Sequence, residues 1–512
     1  MSSNFDSNWP EPADANNAAW NALVKPANWR NPEPAARYNL VVIGAGTAGL
    51  VTAAAAAGLG AKVALVERNR MGGDCLNTGC VPSKTLIRSA RAAAAVREAG
   101  RFGVRVPAGV EIDFAAVMER VRSLRAAISP HDSAKRFQEL GVDVFLGEGR
   151  FTGPGALEVG GKVLRFRRAV IATGARVAMP GVRGLESVPY LTHETVWSLT
   201  EQPRRMAILG GGPIGCELAQ AFARLGTEVT VFHSHSGILD KEDADAAAVV
   251  RTTLEHDGVR FQLGVRVESA SRDASGSIRL GFKTAAGAAE HAEGFDTLLV
   301  ATGRRPNVSG LGLEAVGVTF DPQRGVVVND RLQSTNPDIY AAGDVCLTHQ
   351  FTHAADFSAR IVVQNALFYG RKKAGALLIP RATYTDPEVA SVGLTQRTAQ
   401  ESGTVVTVFE RPFSEVDRAR TDDEGGGFVR ILVATGTDRI VGATIVGPHA
   451  GDMISEVSVA MQSGIGLGSL ASVIHPYPTL AEAIRQCGDR YNRTRLTPRV
   501  KALMERWLRW TR

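Results

Sequence analysis

Two cysteines stand close together between Gly72 and Lys84, with four residues separating Cys75 from Cys80. One helical turn over this spacing brings the two sulfurs within disulfide reach. The alternatives are two unrelated thiols or half of a zinc site, but zinc usually takes four Cys or His ligands in paired short spacings, and the sequence has no second pair. Because structural disulfides are rare in a largely reduced chain, the pair is predicted to be a redox-active couple.

The composition is that of a globular protein with large cores. The 512 residues are 44% hydrophobic and 21% charged, and this length corresponds to about three or four domains. Besides the pair there are only Cys216, Cys346 and Cys487, which indicates a reducing, cytoplasmic setting. The polar N-terminus lacks the pattern of a signal peptide. The uncharged stretch from Leu40 to Ala61 is long enough for a membrane span, but its Gly/Ala content favours a strand–turn–helix.

The positive charge is concentrated at the C-terminus. The formal net charge is +6, and the segment from Gly488 to Arg512 holds eight basic and two acidic residues, which accounts for all of it. The remainder of the chain is therefore balanced in charge. This distribution argues against a nucleic-acid-binding core.

An early strand–helix–strand segment has the pattern of a dinucleotide-binding unit. The strand Leu40–Ile43 leads into a G-x-G-x-x-G motif formed by Gly44, Gly46 and Gly49, and a second strand ends at Glu67. The glycines let the backbone approach a pyrophosphate at the helix N-terminus. The carboxylate of Glu67 would accept a hydrogen bond from a ribose hydroxyl.

The same pattern occurs a second time, with Gly210, Gly212 and Gly215 after another strand. Two such units predict two dinucleotides, one for each. His233 stands where Glu67 stands in the first unit. An acid there suits the free 2′-hydroxyl of NAD and would repel a 2′-phosphate, so its absence favours NADPH over NADH.

Three further strands end in small residues or an acid. Two of them run into Thr173-Gly174 and into Gly303, where the chain could pass between lobes. The third ends at Gly343-Asp344, which would place a carboxylate within reach of a cofactor polyol.

In this order, these features resemble the FAD-dependent pyridine nucleotide–disulfide oxidoreductases, which include glutathione reductase, dihydrolipoamide dehydrogenase and mercuric reductase. The resemblance covers about Tyr38 to Arg490. It implies an α/β fold with two Rossmann-like dinucleotide-binding domains, one for FAD and one for NAD(P), and a C-terminal α+β dimerisation domain. The expected division is an N-terminal extension at 1–37, a split FAD-binding domain at 38–185 and 306–375, an NAD(P)-binding domain at 186–305, a dimerisation domain at 376–490 and a basic amphipathic tail at 491–512.

The resemblance also implies the cofactors and their binding residues. FAD and NADPH, or NADH, are expected, and no metal-binding residues are assigned. The expected cofactor-binding residues are Gly44, Gly46, Gly49, Glu67, Gly73, Thr173, Gly174, Gly210, Gly212, Gly215, His233, Gly303, Gly343 and Asp344. Glu67 belongs to the adenosine half of FAD, and Asp344 resembles the acid that binds the flavin ribityl chain.

The catalytic roles follow from the same resemblance. Lys84 and Glu217 match an ion pair beside the flavin, although a solvated helix acid is an alternative for Glu217. Cys80 is expected nearest the flavin as a charge-transfer thiolate, and Cys75 as the outer thiol that meets the substrate. Both thiols are expected to have a lowered pKa, because a helix N-terminus and a nearby cation stabilise thiolates.

The C-terminal motif departs from the disulfide-reducing members. These carry a histidine just before Pro-Thr, with a glutamate five residues on, and the histidine shuttles a proton in the partner subunit's site. Here the Pro-Thr and Glu482 align so that Tyr477 takes the histidine's place, while His475 lies two residues earlier. A phenol with a pKa near 10 is a poor shuttle at neutral pH. A tyrosine at this place is similar to mercuric reductase, although His475 acting as the base stays an alternative.

Other features differ from mercuric reductases, which end in a Cys-Cys pair that delivers the metal. This chain ends at Thr511-Arg512, and residues 1–37 contain no cysteine. Cys487 could substitute as a carrier thiol, but a structural role is favoured for it.

The two ends of the chain lie outside the resemblance and are interpreted separately. The extension at 1–37 either packs on the body through Trp9, Trp20 and Trp29 or is disordered. In the tail, Thr497 is expected to cap a basic amphipathic helix. Such a helix can lie on an anionic membrane. Packing against a partner subunit or the N-terminal extension is slightly favoured.

The sequence thus predicts a homodimeric FAD-dependent NAD(P)H oxidoreductase with its site shared between subunits. Electrons would pass through Cys75 and Cys80 to a metal ion, as in mercuric reductase, or to another small electrophile. One alternative is a dihydrolipoamide dehydrogenase-type enzyme working through His475. Another is a membrane-surface redox module that serves a partner protein. The expected location is cytoplasmic, with peripheral membrane contact through the tail left open.

Overall fold

The structure, a computed structural model, describes residues 11–284 and 286–512. Two compact units are present: residues 11–234 with Arg260–Leu377, and His235–Val259 with Leu378–Arg512. The helices are α1 (Ala15–Val24), α2 (Thr47–Gly58), α3 (Gly73–Asn77), α4 (Cys80–Glu98), α5 (Phe114–Ile128), α6 (Ala134–Glu139), α7 (Pro213–Arg224), α8 (Ala244–His256), α9 (Thr352–Phe368), α10 (Gln396–Glu401), α11 (Asp417–Thr421), α12 (Ala450–Gln462), α13 (Leu467–Leu470), α14 (Glu482–Thr494) and α15 (Pro498–Trp510).

The strands are β1 (Tyr38–Ile43), β2 (Val63–Glu67), β3 (Val142–Leu146), β4 (Gly149–Gly153), β5 (Ala156–Val159), β6 (Lys162–Ile171), β7 (Ala175–Val177), β8 (Tyr190–Thr192), β9 (Arg205–Leu209), β10 (Glu228–His233), β11 (Arg260–Leu263), β12 (Arg266–Arg272), β13 (Ile278–Lys283), β14 (Ala289–Phe295), β15 (Thr297–Val300), β16 (Arg304–Pro306), β17 (Phe320–Asp321), β18 (Gly325–Val326), β19 (Ile339–Ala341), β20 (Arg381–Thr383), β21 (Glu388–Gly393), β22 (Val406–Pro412), β23 (Phe428–Ala434) and β24 (Ile440–Gly447). Among the described residues, none of the helices is both long and apolar enough to cross a membrane.

The first unit contains a sheet in the order β3-β2-β1-β6-β5-β4, with β19 also paired to β6. Strands β3, β2, β1, β6 and β19 pair in parallel. Their continuous apolar runs suit a parallel sheet covered on both faces. Because β1 lies between β2 and β6, the glycine turn that follows β1 lies at the carboxyl end of a central strand, where such sheets bind ligands.

A second parallel sheet in this unit has the order β11-β10-β9-β15-β8. Strand β9 lies between β10 and β15, so the second glycine turn also follows a central strand. The two sheets repeat one arrangement. The expectation of two Rossmann-like domains is therefore confirmed.

The chain passes between these two sheets twice, and the two connecting segments lie next to each other. Strands β7 and β16 pair antiparallel directly after Gly174 and Gly303. The Thr173 hydroxyl donates to the Asn307 carbonyl at 2.7 Å, and the Asn307 side-chain amide donates to the Thr173 carbonyl at 2.9 Å. These bonds fix the Thr173-Gly174 turn beside the chain that follows β16.

The second unit is built on the antiparallel sheet β20-β21-β24-β23-β22, against which α12 and α14 pack. This confirms the expected α+β fold of the C-terminal part. Helix α8 belongs to this unit. The buried Arg430 side chain forms ion pairs with Asp243 and Asp245, at the start of α8, and with Glu410 of β22. The expected domain boundaries stay a prediction.

Both chain ends have helical structure. Helix α1 lies in the N-terminal extension, where Trp20 is fully buried and Trp29 half-buried, while Trp9 lies outside the described residues. Helix α15 begins after Thr497, whose hydroxyl accepts a hydrogen bond from the Val500 amide at 3.3 Å. Every residue from 493 to 512 is exposed.

Candidate active site

The two cysteines lie on consecutive helices of the first unit, Cys75 on α3 and Cys80 on α4. The expectation of one continuous helical turn between them is wrong, because Thr78 and Gly79 break the helix and Cys80 begins a new one. A Cβ atom on Gly79 would lie 2.9 Å from the Asp74 carbonyl oxygen, so the break needs glycine there. The two side chains are hydrogen-bonded across the break, and both are free thiols.

The two thiols differ in acidity. The hydrogen bond from Cys75, the Thr352 hydroxyl at 3.4 Å and the charge of Lys84 lower the pKa of Cys80 below the ordinary thiol value. Its place at the N-terminus of α4 also favours a thiolate. The hydrogen bond to Cys80 and burial raise the pKa of Cys75. The expectation that both thiols are acidic therefore holds for Cys80 and is wrong for Cys75.

Lys84 and Glu217 meet although 133 residues separate them. The Lys84 Nζ lies 2.7 Å from the Glu217 Oε2, and the carboxylate is almost fully buried. Lys84 is one turn after Cys80 on α4, whereas Glu217 comes from α7 behind the second glycine turn. The solvated-acid alternative for Glu217 is thus incompatible with its burial and pairing.

The first glycine turn is packed so closely against neighbouring backbone that its glycines cannot carry side chains. Gly44 has φ +101°, and a Cβ there would lie 2.3 Å from the Ala172 carbonyl oxygen. A Cβ on Gly49 would lie 1.8 Å from the Gly44 oxygen, and one on Gly73 would lie 2.4 Å from the Gly46 Cα. The turn and the entry to α3 therefore approach each other closely, as a pyrophosphate cradle requires.

Each dinucleotide unit has one side chain that holds its glycine turn. The buried Glu67 carboxylate accepts hydrogen bonds from the Ala45 amide at 2.7 Å and the Asn69 amide at 2.8 Å. Burial raises its pKa. In the second dinucleotide-binding segment the His233 Nδ1 accepts from the Gly211 amide at 3.1 Å. This bond leaves the proton of a neutral ring on Nε2, so an uncharged imidazole holds the second turn where a carboxylate holds the first.

The second glycine turn repeats the packing of the first. A Cβ on Gly210 would lie 2.3 Å from the Ala301 oxygen, and one on Gly215 would lie 1.9 Å from the Gly210 oxygen. Around Gly212 the described residues leave a Cβ position open. The residues of both turns thus fit dinucleotide phosphates.

A buried ionic cluster lies beside the cysteine segment. Arg304 pairs with Asp74, the residue before Cys75, and its Nη2 lies 3.0 Å from the Asp344 Oδ2. Burial opposes the ionisation of Asp74, but Arg304, together with His193 and Thr78, outweighs it and holds the pKa of that carboxyl well below its usual range. Burial raises the pKa of Asp344.

Asp344 lies where the sequence predicts it, just after β19. The preceding Gly343 has φ +76°, and its amide donates to the Ser358 hydroxyl at 3.0 Å. This bond orients the turn that carries the carboxylate.

The C-terminal motif lies in the second unit and is described there alone. Tyr477 is 70% exposed and donates from its hydroxyl to the Asp417 Oδ2 at 3.1 Å, which raises the pKa of the phenol. His475 has its side chain 6% exposed, with Nε2 at 2.9 Å from the Glu456 Oε1 and Nδ1 at 3.1 Å from a backbone carbonyl. Glu482 pairs with Arg485 instead of with His475.

Sequence reasoning missed several residues that contact the cysteine segment. Thr352 reaches Cys80 from α9, Arg304 reaches Asp74 from β16, and the Trp197 Nε1 donates to the Thr78 carbonyl at 2.9 Å. Asp74 was inside the motif and could have been found as a charged residue beside a reactive thiol. The other three are distant in sequence and stand in no recognisable motif.

Comparison with known proteins places this site in a family. Residues 38–359 match the family described as pyridine nucleotide-disulphide oxidoreductase, and residues 379–487 match its dimerisation domain. A mercuric reductase from Lysinibacillus sphaericus is 35% identical over 448 residues, which cover 88% of this chain and 81% of that protein. A dihydrolipoyl dehydrogenase from Chlamydia muridarum is 36% identical over 455 residues, which cover 87% and 95%.

A solved structure is similar as well. The HOCl-induced flavoprotein disulfide reductase RclA from Escherichia coli has 29% identity and a TM-score of 0.77, with 88% of this chain and 99% of that chain covered. A Cu(II) complex of the same protein has a TM-score of 0.78. The matched regions include both glycine turns, the cysteine segment and the antiparallel C-terminal sheet. The chain therefore belongs to the pyridine nucleotide-disulphide oxidoreductase family, whose members use FAD and NAD(P)H and carry a redox-active disulfide, and its dimerisation domain indicates a homodimer.

Proposed function

We propose that this protein uses NADPH to reduce a soft metal ion, of the mercuric type, at Cys75 and Cys80. The observation that carries the proposal is the exposed Tyr477 at the position where disulfide-reducing members have a proton-shuttling histidine. Metal reduction balances without a proton delivered to the product: NADPH and Hg²⁺ give NADP⁺, H⁺ and Hg⁰. Reduction of a disulfide needs two protons on the product thiols, so it depends on such a shuttle.

The surroundings of His475 support the same choice. Both ring nitrogens face oxygen acceptors, and the side chain is almost fully buried. To act as a shuttle the ring would have to leave Glu456 and the Val473 carbonyl. The Tyr477 phenol needs no such movement to be exposed, and the hydrogen bond to Asp417 raises its pKa further above neutrality.

The cysteine pair supplies the ligands and receives the electrons. Bound FAD, held by the first glycine turn and by Asp344, would carry two electrons from the nicotinamide to the cysteine pair. The Cys80 thiolate and a deprotonated Cys75 offer two soft sulfur ligands to a metal ion. Because the pKa of Cys75 is raised, its proton has to leave when the metal binds. The two thiolates would then give two electrons to the bound metal ion, so that the reduced metal leaves and the Cys75–Cys80 disulfide re-forms for the next cycle.

Two neighbouring groups favour a negative charge on Cys80. Lys84 places a cation near Cys80, and the Thr352 hydroxyl, 3.4 Å from the same sulfur, can donate to it when it is a thiolate. His233, an uncharged imidazole in place of an acid, removes the repulsion that a 2′-phosphate would meet, which favours NADPH.

The test is an anaerobic titration of the purified holoenzyme. The enzyme is reduced with NADPH, and in parallel with NADH, until the long-wavelength charge-transfer absorbance of the thiolate develops. Hg²⁺ or oxidised lipoamide is then added. We expect Hg²⁺ to bleach the band with turnover of NADPH, and lipoamide to leave it intact. Rapid reoxidation by lipoamide would contradict the proposal and favour the dihydrolipoamide dehydrogenase-type alternative. The same titration of the Tyr477→Phe variant shows how much the phenol hydroxyl contributes to the reaction with Hg²⁺.

The tail supports a second candidate, a redox enzyme that lies on an anionic membrane surface. Helix α15 is amphipathic and wholly exposed. Its apolar side chains occupy one face: Val500, Leu503, Met504, Trp507, Leu508 and Trp510. The opposite face and its edges carry Arg499, Lys501, Arg506 and Arg509, with Glu505 as the single acid of this helix. Cations beside an apolar face with tryptophans complement an anionic lipid surface.

Flotation with vesicles tests this candidate. The full chain should bind vesicles of phosphatidylcholine with phosphatidylglycerol and should not bind phosphatidylcholine alone. A chain ending at residue 496 should lose binding, and Arg499→Gln with Arg506→Gln should weaken it about fivefold for each charge removed. Vesicle binding by the truncated chain would contradict this candidate. So would a full chain that binds no vesicles, together with a truncation that dissociates the dimer.

A further inference from the structure

Helix α1 precedes the residues that match the family, which begin at residue 38, yet it contacts the cysteine segment. The Trp20 Nε1 donates a hydrogen bond to the Asn77 Oδ1 at 2.9 Å, and both side chains are buried. At the end of α1, the Val24 carbonyl accepts from the Met71 amide at 3.0 Å. The extension therefore contacts the chain on the N-terminal side of Cys75 and again between the two cysteines.

Arg125 of α5 links α1 to the same position. Its Nη1 donates to the Asn77 carbonyl at 3.0 Å, and its Nη2 donates to the Asn17 Oδ1 at 2.7 Å. The guanidinium lies 3.7 Å from the centre of the Trp20 ring. Arg125 is only 3% exposed, so this cation is held in place by α1 on one side and by the cysteine segment on the other.

These contacts lie at the break that separates the two cysteines. Asn77 is the last residue of α3 and Thr78 its cap, and the final carbonyls of a helix have no partner within it. Arg125 satisfies the Asn77 carbonyl, and the Trp197 indole satisfies that of Thr78. The Asn77 side chain is tied in turn to Trp20. Side chains from outside the motif thus determine how α3 meets α4.

We propose that Trp20 is a positioning residue for the cysteine pair: by holding Asn77, helix α1 fixes the break between α3 and α4 and so sets the equilibrium between the dithiol and the disulfide. The two sulfurs are hydrogen-bonded across this break. Restricting their separation raises the effective concentration of one thiol for the other and favours the disulfide. Loosening the break should make the disulfide easier to reduce. The proposal rests on the redox role of the pair and is independent of the electron acceptor.

The test compares two substitutions that each remove one indole N–H. Trp20→Phe keeps an aromatic ring beside Arg125 and removes the donor to Asn77. Trp29→Phe is the matched control, because the Trp29 Nε1 donates to the Val144 carbonyl at 3.2 Å, on a strand rather than on the cysteine segment. The FAD-loaded enzymes are equilibrated anaerobically with mixtures of reduced and oxidised dithiothreitol. In this exchange dithiothreitol gives two electrons and two protons to the Cys75–Cys80 disulfide and becomes the cyclic disulfide. Alkylation followed by mass measurement gives the dithiol fraction.

Trp20→Phe should shift the equilibrium about tenfold towards the dithiol, which corresponds to about 30 mV for this two-electron couple. Trp29→Phe should leave it unchanged, with equal FAD content in both variants. An unchanged potential in Trp20→Phe, or equal shifts in both variants, would overturn the proposal. If Trp20→Phe does not fold, Asn17→Ala, which removes the acceptor for Arg125 and the donor to the Pro12 carbonyl, should shift the equilibrium in the same direction. If the enzyme does not reduce the metal ion, the proposed function is wrong. The dithiol–disulfide equilibrium of the variants would still test the positioning role of Trp20.

Discussion

The ammonium group of Lys84 lies 2.7 Å from the carboxylate of Glu217, and the two groups act on the Cys80 thiol with opposite sign. The cation lowers the pKa of Cys80, whereas the carboxylate raises it. The pKa of Cys80 therefore depends on the balance between the effects of Lys84 and Glu217. Removing either member disturbs that balance in a predictable direction.

Lys84→Met should raise the pKa of Cys80, and Glu217→Gln should lower it. Each change should be about one pH unit or less, because Lys84 is partly exposed to solvent. The measurement is the pH dependence of the thiolate charge-transfer absorbance in the two-electron-reduced enzyme. Lys62→Met, which removes a cation paired with Asp143, is the control. Shifts of the same sign in both variants would contradict this account.

Thr352 should stabilise the Cys80 thiolate through its hydroxyl, which lies 3.4 Å from the sulfur. Thr352→Val keeps the shape of the side chain and removes the donor, so the pKa of Cys80 should rise by about half a unit to one unit. Thr352→Ser keeps the hydroxyl and should preserve the wild-type profile. The same absorbance titration distinguishes them, and a shift in the serine variant as large as that in the valine variant would point to packing instead.

Arg304→Met should destabilise the protein, because it leaves the carboxylates of Asp74 and Asp344 without their shared cation. Removing one member of such a buried ionic group costs about 2–4 kcal/mol. The pKa of Asp74 is lowered in the folded state, so its contribution is present above the unfolded value near 4 and is lost as the pH falls below it.

Denaturant unfolding at several pH values measures this contribution. The difference in the free energy of unfolding between wild type and Asp74→Asn should be constant near neutral pH and should shrink below about pH 4. A difference that grows on acidification would show that the Asp74 carboxylate is not stabilised by folding.

His233→Glu should reverse the coenzyme preference. The new carboxylate would repel a 2′-phosphate and could accept a hydrogen bond from a 2′-hydroxyl, the role that is expected of Glu67 towards the ribose of FAD. We expect kcat/KM for NADPH to fall about tenfold or more relative to NADH. His233→Gln, which adds no charge, is the control. Initial rates with both coenzymes give the ratio, and an unchanged ratio in the glutamate variant would place the specificity elsewhere.

If the proposed function holds, Tyr477→His should raise lipoamide reduction well above that of the wild-type enzyme. An imidazole at this position can move a proton at neutral pH, and general acid–base assistance is worth about 10²–10⁴-fold. Lipoamide turnover of Tyr477→His, compared with Tyr477→Phe, is the measurement. Equal turnover in both variants would show that proton transfer at residue 477 does not limit disulfide exchange in this protein.

The two dinucleotide units could be predicted from the sequence because their determinants are local. A buried strand, a glycine turn and the side chain about twenty residues later lie within one βαβ unit. The steric need for Gly49 and Gly215 is local too, because a Cβ on either would lie within 2 Å of the carbonyl oxygen of the first glycine of its own turn, Gly44 or Gly210. The cysteine spacing and the cap at Thr497 are equally local. The sequence by itself therefore determined the fold class, the cofactors and the reactive pair.

The local geometry of that pair was decided by tertiary structure. The spacing suggested one helical turn, yet Cys75 and Cys80 lie on different helices that meet at Gly79. The break is stabilised by Trp20, Arg125 and Trp197, which reach Asn77 and Thr78 from three other segments. The lowered pKa of Cys80 likewise depends in part on Thr352, which lies 272 residues from it. Such contacts leave no periodic signal in the sequence, because a hydrogen bond between distant segments depends only on where the folded chain brings them together.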